Sequence, residues 1–286
     1  MPEGPEVRRA ADRIAKAVQG KVVEDAMFAF EHLQPLESTL VGQRVSAVDT
    51  RGKAFLVRFD EVALSVFVHL QLYGRWYVTA RGSWPKTGRQ LRFAIHTQTH
   101  SALLYSASDI AVLGADEVAS HPYIAKLGPD CLDPDLTRAK LMRRLMRRAF
   151  RNRTLASLYL DQGFVAGVGN YLRSEILYAA GVHPNRRPRD LSVPERRALA
   201  EATVAVCRRA YATGGITNSE ERVRQLKTQG LPRRRYRHAV FGRGGQPCWA
   251  CSEAVVRGEQ TGRRIFWCPR CQVPAELANR PRHTGH

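Results

Sequence analysis

The chain has 286 residues, with 45 Lys and Arg against 26 Asp and Glu, a formal net charge of +19 at neutral pH. That balance points to a polyanionic partner, nucleic acid before membrane surface, and a hydrophobic content of 44% excludes an unfolded chain. No apolar run approaches the ~18 residues of a membrane span, and charges within the first dozen positions exclude a secretory leader. A cytoplasmic protein with reduced cysteines is the expectation.

The chain opens Met1-Pro2-Glu3-Gly4-Pro5-Glu6. Proline is small, so Met1 is expected to be removed, leaving Pro2 with a free secondary amine. An α-amino group titrates near ~8, far below lysine, so a useful fraction is unprotonated at neutral pH. Such an amine attacking a sugar aldehyde carbon yields an iminium, which is already cationic and serves as an electron sink. Glu3, beside it, is placed to move protons. The same residues also read as an ordinary helix start, with Gly4 as N-cap, Pro5 at the first helical position and Glu6 complementing the dipole. Val7, Ala10, Ala11, Ile14 and Val18 have helical spacing over 5–19, and Gly20 is a stop.

From 21 to 127 the pattern changes to short strands, at 44–48, 54–58, 64–68, 75–78, 91–95 and 102–105, separated by turn residues as in a β-sandwich or barrel. Gly128-Pro129-Asp130 and Asp133-Pro134-Asp135 end that pattern. Helices are expected at 136–148, 155–161, 170–180 and 194–213, closed by Gly214-Gly215. Residues 216–238 read as a basic loop or hinge. The expected organisation is α+β and multidomain: 1–128, an N-terminal helix plus β-sandwich; 129–238, a helical domain with its basic loop; 239–272, a cysteine module; and 273–286, a disordered tail.

Two internal stretches carry chemistry. Ala166-Gly167-Val168-Gly169 is a glycine-permissive turn, and Asn170 stands as N-cap of the next helix. Backbone N–H groups at such a turn suit a phosphate. Arg143, Arg144, Arg147, Arg148, Arg151 and Arg153 precede it and favour a polyanion. Further on, Cys248-x-x-Cys251 and Cys268-x-x-Cys271 stand 16 residues apart. In a reducing compartment that spacing fits a four-thiolate zinc site, one structural Zn2+. The segment between the pairs reads as a hairpin, with Val255 and Val256 on one strand, Ile265–Trp267 on the other, Gly258 and Gly262 near the turn, and Arg263 at the tip. There its guanidinium can fork onto phosphate. Cys131 and Cys207 stand alone and read as inert buried thiols.

Taken together, Pro2-Glu3-Gly4-Pro5-Glu6, Thr50-Arg51-Gly52-Lys53, Ala166-Gly167-Val168-Gly169-Asn170 and the cysteine ribbon resemble the formamidopyrimidine-DNA glycosylase/endonuclease VIII family, in family order from residue 2 to about 272. Gln71-Leu72-Tyr73-Gly74 and the stretch 104–110 resemble the endonuclease VIII branch. The purine-directed branch usually shows an Asp-Pro-Arg-Arg-Phe-Gly type sequence near position 109, absent here. The resemblance implies a helix–two-turn–helix DNA-binding domain, a C-terminal zinc-ribbon hairpin and a bifunctional DNA glycosylase/AP lyase of base excision repair. Such an enzyme excises oxidised pyrimidines from duplex DNA and cuts the strand by β,δ-elimination. By that resemblance Pro2 attacks C1′ and Glu3 is the acid. Lys53 assists at the sugar, and Arg263 grips phosphates and supports δ-elimination. Gln71, Leu72 and Tyr73 contact DNA and fill the void left by the flipped base; Lys126 and Asn170 hold the backbone. Lys126 stands where the relative carries arginine, which weakens a bidentate grip, and Leu70 replaces an expected polar residue. The partner is damaged or abasic double-stranded DNA, the chain is expected to act as a monomer, and no membrane is involved. Rival readings are a purine-directed 8-oxoguanine enzyme and a non-catalytic zinc-ribbon DNA-binding protein.

Overall fold

The computed structural model describes residues 2–274; the expected disordered tail falls almost wholly outside them. By its internal contacts the chain divides into two compact units, Met1–Leu127 and Gly128–His286.

The first unit is built on two four-stranded antiparallel sheets. Its elements, in chain order, are α1 (Gly4–Val18), β1 (Asp25–Phe28), α2 (Glu37–Leu40), β2 (Ala47–Arg51), β3 (Ala54–Phe59), β4 (Leu64–His69), β5 (Arg75–Ala80), β6 (Leu91–His96), β7 (His100–Tyr105), β8 (Asp109–Gly114) and α3 (Ala115–Ser120). One sheet runs β1-β6-β7-β5 and the other β2-β3-β4-β8. The apolar stripe of α1, with Val7, Ala11, Ile14 and Val18 buried, joins Phe28, Phe55, Val57, Phe93 and Leu104 in one core. The β3 run is apolar at almost every position because both faces are covered. Phe55, Val57 and Phe59 face that core, whereas Ala54 and Leu56 pack with Phe67, Leu113 and Val118 on the other side. The expected sandwich is therefore present. β1 and β8 were not foreseen: each has only two fully buried positions among polar or half-exposed ones, too weak a period-two signal to stand out. The expected strand at 44–48 begins instead at Ala47, its early part reduced to a single bridge between Val22 and Arg44.

The second unit contains α4 (Arg138–Leu145), α5 (Leu155–Leu158), α6 (Asn170–Ala179), α7 (Val193–Thr213), α8 (Glu220–Thr228), α9 (Arg233–Tyr236) and the hairpin of β9 (Val256–Gln260) and β10 (Arg263–Trp267). Ser192 caps α7 in a capping box with Glu195, and Gly214 ends it in the left-handed conformation. The supposed loop at 216–238 contains α8 and α9, a correction to the sequence reading. Ser219 caps α8 and Leu226 is its one buried residue, so an almost wholly polar helix carried no amphipathic stripe to read. Ile265 and Trp267 of the hairpin pack with the helical core. No helix among the described residues is long and apolar enough to cross a membrane.

Candidate functional site

In the first unit, α1 begins one residue earlier than the sequence suggested. Glu3 is the N-cap and Gly4 the first helical residue. The spacing of three fixes this frame: the Glu6 carboxylate reaches back to accept the Glu3 backbone N–H at 3.1 Å. Glu3 is 4% exposed, unusual for a carboxylate. Pro2 thus immediately precedes the positive end of the helix dipole. It borders a cleft of about 480 Å³ that Glu6, Ala10, Arg13, Leu70, Gly74 and Trp76 also line. The N-terminus and the base of the loop Gln71-Leu72-Tyr73 therefore share one cavity.

That loop is fully exposed. Leu72 is 61% and Tyr73 69% accessible, and Gln71 holds a left-handed φ of +50°. Lys53 lies in the two-residue turn between β2 and β3, where Arg51 pairs with Ala54, rather than on a strand edge. Gly52 has φ of +60°, and a Cβ there would come within 3.1 Å of the Tyr123 hydroxyl. The same hydroxyl accepts the Lys53 backbone N–H at 2.9 Å. Tyr123 also packs its ring, tilted, against His69 and Phe67, so an aromatic cluster sets the turn that presents the lysine. Lys126 follows in the short turn Ile124–Lys126 and is exposed.

In the second unit, Asn170 is not the N-cap of α6; Gly169 is. The Asn170 side chain instead accepts from Arg173 Nη2 at 2.6 Å. Arg173 is 0% exposed, and it also donates to the carbonyls of Ala156 and Arg264, each at 3.0 Å. One guanidinium therefore ties Asn170, α5 and β10. The turn before α6 is held by Gln162, whose amide donates to Val168 O at 2.8 Å and accepts from Gly167 N at 3.1 Å. Asn170, Glu259, Gly262, Arg263 and Arg264 border one cavity of about 400 Å³, so Asn170 and Arg263, 93 positions apart in numbering, face common space. In the hairpin, Gln260 pairs with Arg263 across Thr261 and Gly262, whose φ values of +54° and +67° suit a two-residue type I′ turn. Gly258, expected near the turn, is in β9, where a Cβ would meet the Trp267 ring at 2.8 Å.

The four sulfurs of Cys248, Cys251, Cys268 and Cys271 lie within 4.8 Å of one another. The closer pairs stand at 3.4, 3.5 and 3.9 Å. Tetrahedral thiolates about 2.3 Å from a zinc ion are roughly 3.8 Å apart, so the donor set fits such an ion. Backbone N–H groups of Ala250 and Cys271 point at Cys248 and Cys268 sulfurs at 3.5 and 3.4 Å, and the Tyr178 hydroxyl is 3.3 Å from Cys248 Sγ. Gln272 accepts from Cys268 N and donates to Val182 O, anchoring the cluster to the helices.

A buried carboxylate was not anticipated. Glu175 accepts the backbone N–H groups of Ala239, Val240 and Phe241, all at 2.8 Å, and the Thr217 hydroxyl. His238 Nδ1 lies 3.1 Å from the same hydroxyl. Burial pushes the His238 imidazole down to about 4, with Glu175 opposing the shift and Arg237 adding to it. A histidine kept neutral in the folded state stabilises fully above its unfolded pKa of about 6.5, and the contribution is lost as pH falls toward 4. Urea midpoints should therefore fall between pH 6.5 and 4 by an amount equivalent to about 2 kcal/mol. His238→Gln should flatten this dependence; an unchanged pH profile in that variant would remove His238 from the account.

Residues 1–108 match the formamidopyrimidine-DNA glycosylase N-terminal domain and residues 127–221 the formamidopyrimidine-DNA glycosylase H2TH domain. The chain is 43% identical over 272 residues to Endonuclease 8 of Escherichia coli (strain K12 / DH10B), covering 95% of this chain and 100% of that protein. The chain belongs to the formamidopyrimidine-DNA glycosylase family. Endonuclease 8 of Shigella sonnei (strain Ss046) is 43% identical over the same length. Among solved structures, the Lactococcus lactis Fpg bound to abasic-site DNA aligns with a TM-score of 0.76 at 18% identity, covering 95% of this chain and 100% of that one. Its complex with FAPY-dG DNA aligns equally well, with a TM-score of 0.76.

Within this family fold, the residues that sequence reasoning missed are those that hold others in place. Tyr123, Gln162, Arg173 and Glu175 carry no motif of their own. The available signal was charge in an apolar frame, since every residue from Tyr171 to Leu177 of α6 is buried, Arg173 and Glu175 included.

Proposed function

We propose that this chain is a bifunctional DNA glycosylase/AP lyase that removes oxidised pyrimidines from duplex DNA. The observation that carries the reading is Pro2 beside buried Glu3 at the head of α1, opening onto a cleft shared with the exposed Leu72–Tyr73 loop. The 43% identity to Endonuclease 8 supports the same branch.

With Met1 removed, the Pro2 nitrogen lies at the positive end of α1, which disfavours its protonated form and keeps it nucleophilic. The damaged nucleotide leaves the stack at a cost of a few kcal/mol, least for a badly paired base. Leu72 and Tyr73 occupy the vacated space and offset part of that cost by stacking, with Gln71 beside them. The Pro2 lone pair forms a bond to C1′ while the C1′–N bond to the base breaks; the nitrogen lone pair then expels the ring oxygen, breaking C1′–O4′ to give the iminium, and Glu3 supplies the proton that the departing base or the ring oxygen takes up. The resulting iminium makes the C2′ proton acidic. Its loss expels the 3′ phosphate, a second elimination expels the 5′ phosphate, and hydrolysis frees Pro2. Lys53 assists at the sugar, Arg263 and Asn170 hold phosphates, and Lys126 adds a backbone contact. Residues 1–128 carry the chemistry, 129–238 the helix–two-turn–helix contacts and 239–272 the ribbon. The four cysteines hold one Zn2+ whose role is to fold the ribbon. The working location is the bacterial cytoplasm, and the chain acts as a monomer.

Borohydride reduction during reaction with abasic-site duplex tests the scheme. It should trap a covalent adduct at Pro2; a chain that binds DNA yet never crosslinks is a binding protein only. Paired duplexes bearing thymine glycol or 8-oxoguanine test the branch. Cleavage should favour thymine glycol by at least about tenfold, the scale of discrimination a shaped pocket provides. Preference for 8-oxoguanine would move the chain to the purine-directed branch.

A further inference from the structure

We infer that Arg89 and Ser108 are positioning residues that hold the Leu72–Tyr73 wedge in shape before DNA arrives. The inference rests on the function proposed above. Core packing does not fix this loop, because Gln71, Leu72 and Tyr73 are all exposed. Its shape is nonetheless demanding. Gln71 is left-handed at φ +50°, a conformation a non-glycine residue keeps only when its surroundings impose it. Gly74 N donates to Leu70 O at 2.8 Å, and a Cβ on Gly74 would lie 2.7 Å from that oxygen. The turn is closed too tightly for any other residue.

Two neighbouring loops supply what packing does not. Arg89 Nη1 donates to the Tyr73 carbonyl at 2.6 Å. Ser108 Oγ donates to Gln71 Oε1 at 3.0 Å. The two braces are themselves joined, since Ser106 N donates to Gln90 O at 2.8 Å. The topology explains why these loops meet. The wedge loop leads from β4 to β5 and the Ser106–Ser108 loop from β7 to β8, so both cross from one sheet to the other, while Arg89 and Gln90 precede β6. The hydrogen bonds close a ring around the wedge, with one brace at each end of the Gln71-Leu72-Tyr73 segment. A wedge held this way enters the duplex without first losing loop entropy, which is where preorganisation raises affinity and rate.

The test uses one abasic site in two contexts. In a duplex the wedge has a void to fill; in single-stranded DNA it has none. Arg89→Ala should lower kcat/KM on the duplex about tenfold, as expected for loss of a charge-assisted hydrogen bond, and change single-strand cleavage less than about twofold. Arg89→Lys keeps a donor and should regain most of the loss. Ser108→Ala removes no charge and should repeat the duplex-specific defect at about threefold. Equal losses on both substrates, or no loss on the duplex, would overturn the inference. So would a fall of about 0.9 in the salt slope of duplex binding for Arg89→Ala with Ser108→Ala unaffected, because that marks direct phosphate contact. A parent chain that cleaves neither substrate refutes the functional reading itself. A parent that cleaves both, with variants that match it, refutes the wedge inference alone.

Discussion

Glu3→Gln should lower excision of an oxidised base from duplex DNA by roughly 10²–10⁴-fold, the usual contribution of a positioned general acid. The substitution keeps the side-chain volume at a position that is 4% exposed, so the thermal midpoint should move little. The defect should be smaller on a preformed abasic site, where no base has to depart and only the Pro2 attack and eliminations remain. Following both substrates with one protein preparation separates the proton-transfer role from a loss of fold. Unchanged base excision would reject Glu3 as the acid. A large, equal loss on both substrates would mean that the Glu3–Glu6 cap, by fixing the first turn of α1, matters to Pro2 placement more than the proton does.

The second large effect concerns the cysteine ribbon. Metal analysis of the purified chain should find one zinc equivalent, and Cys268→Ser should abolish it. Structural zinc sites contribute an apparent ~10–16 kcal/mol of binding energy that is also folding energy, more than a two-stranded hairpin can replace. The variant should therefore lose order from Cys248 to Gln272, and with it the hairpin turn that presents Arg263. Duplex affinity should fall at least about tenfold, on the scale of one charge-assisted phosphate contact plus the ordering cost. Limited proteolysis between Cys251 and Cys268 gives an independent reading. A chain that purifies without metal, or a variant that keeps both protease resistance and affinity, would end the zinc assignment.

Much of this was legible from local chemistry. The four cysteines are close in sequence within each pair, so spacing alone identified a donor set that the fold then brings within 4.8 Å. The α1 stripe and the apolar β3 run are local patterns and read directly as a helix and a strand, whereas the covering of β3 on both faces emerges only in the fold. What stayed hidden depends on partners far away in the chain. Asn170 reads as a cap because asparagine before a helix usually is one, yet its side chain answers to Arg173 and, through it, to Arg264. The φ of +50° at Gln71 is imposed by a turn that closes on Leu70, which no propensity for glutamine announces. Residues 216–238 looked like a loop because α8 buries only Leu226, leaving polarity on every side. Glu175 has no motif, because its three backbone donors come from residues 239–241.

The buried Arg173 and Glu175 also limit how the chain can be recombined. The seam before residue 239 invites a swap of ribbons between relatives, since a compact metal module would seem to travel intact. Yet Glu175 receives its donors from just past that seam, and Arg173 reaches further in, to the Arg264 carbonyl. A foreign ribbon would need to offer the same carbonyl and the same run of N–H groups, or leave Glu175 with the Thr217 hydroxyl in place of four donors and Arg173 without its link to the hairpin. Exchange should succeed only when α6 and the ribbon are transplanted as a pair, so the heritable unit is larger than the cysteine pattern that marks it.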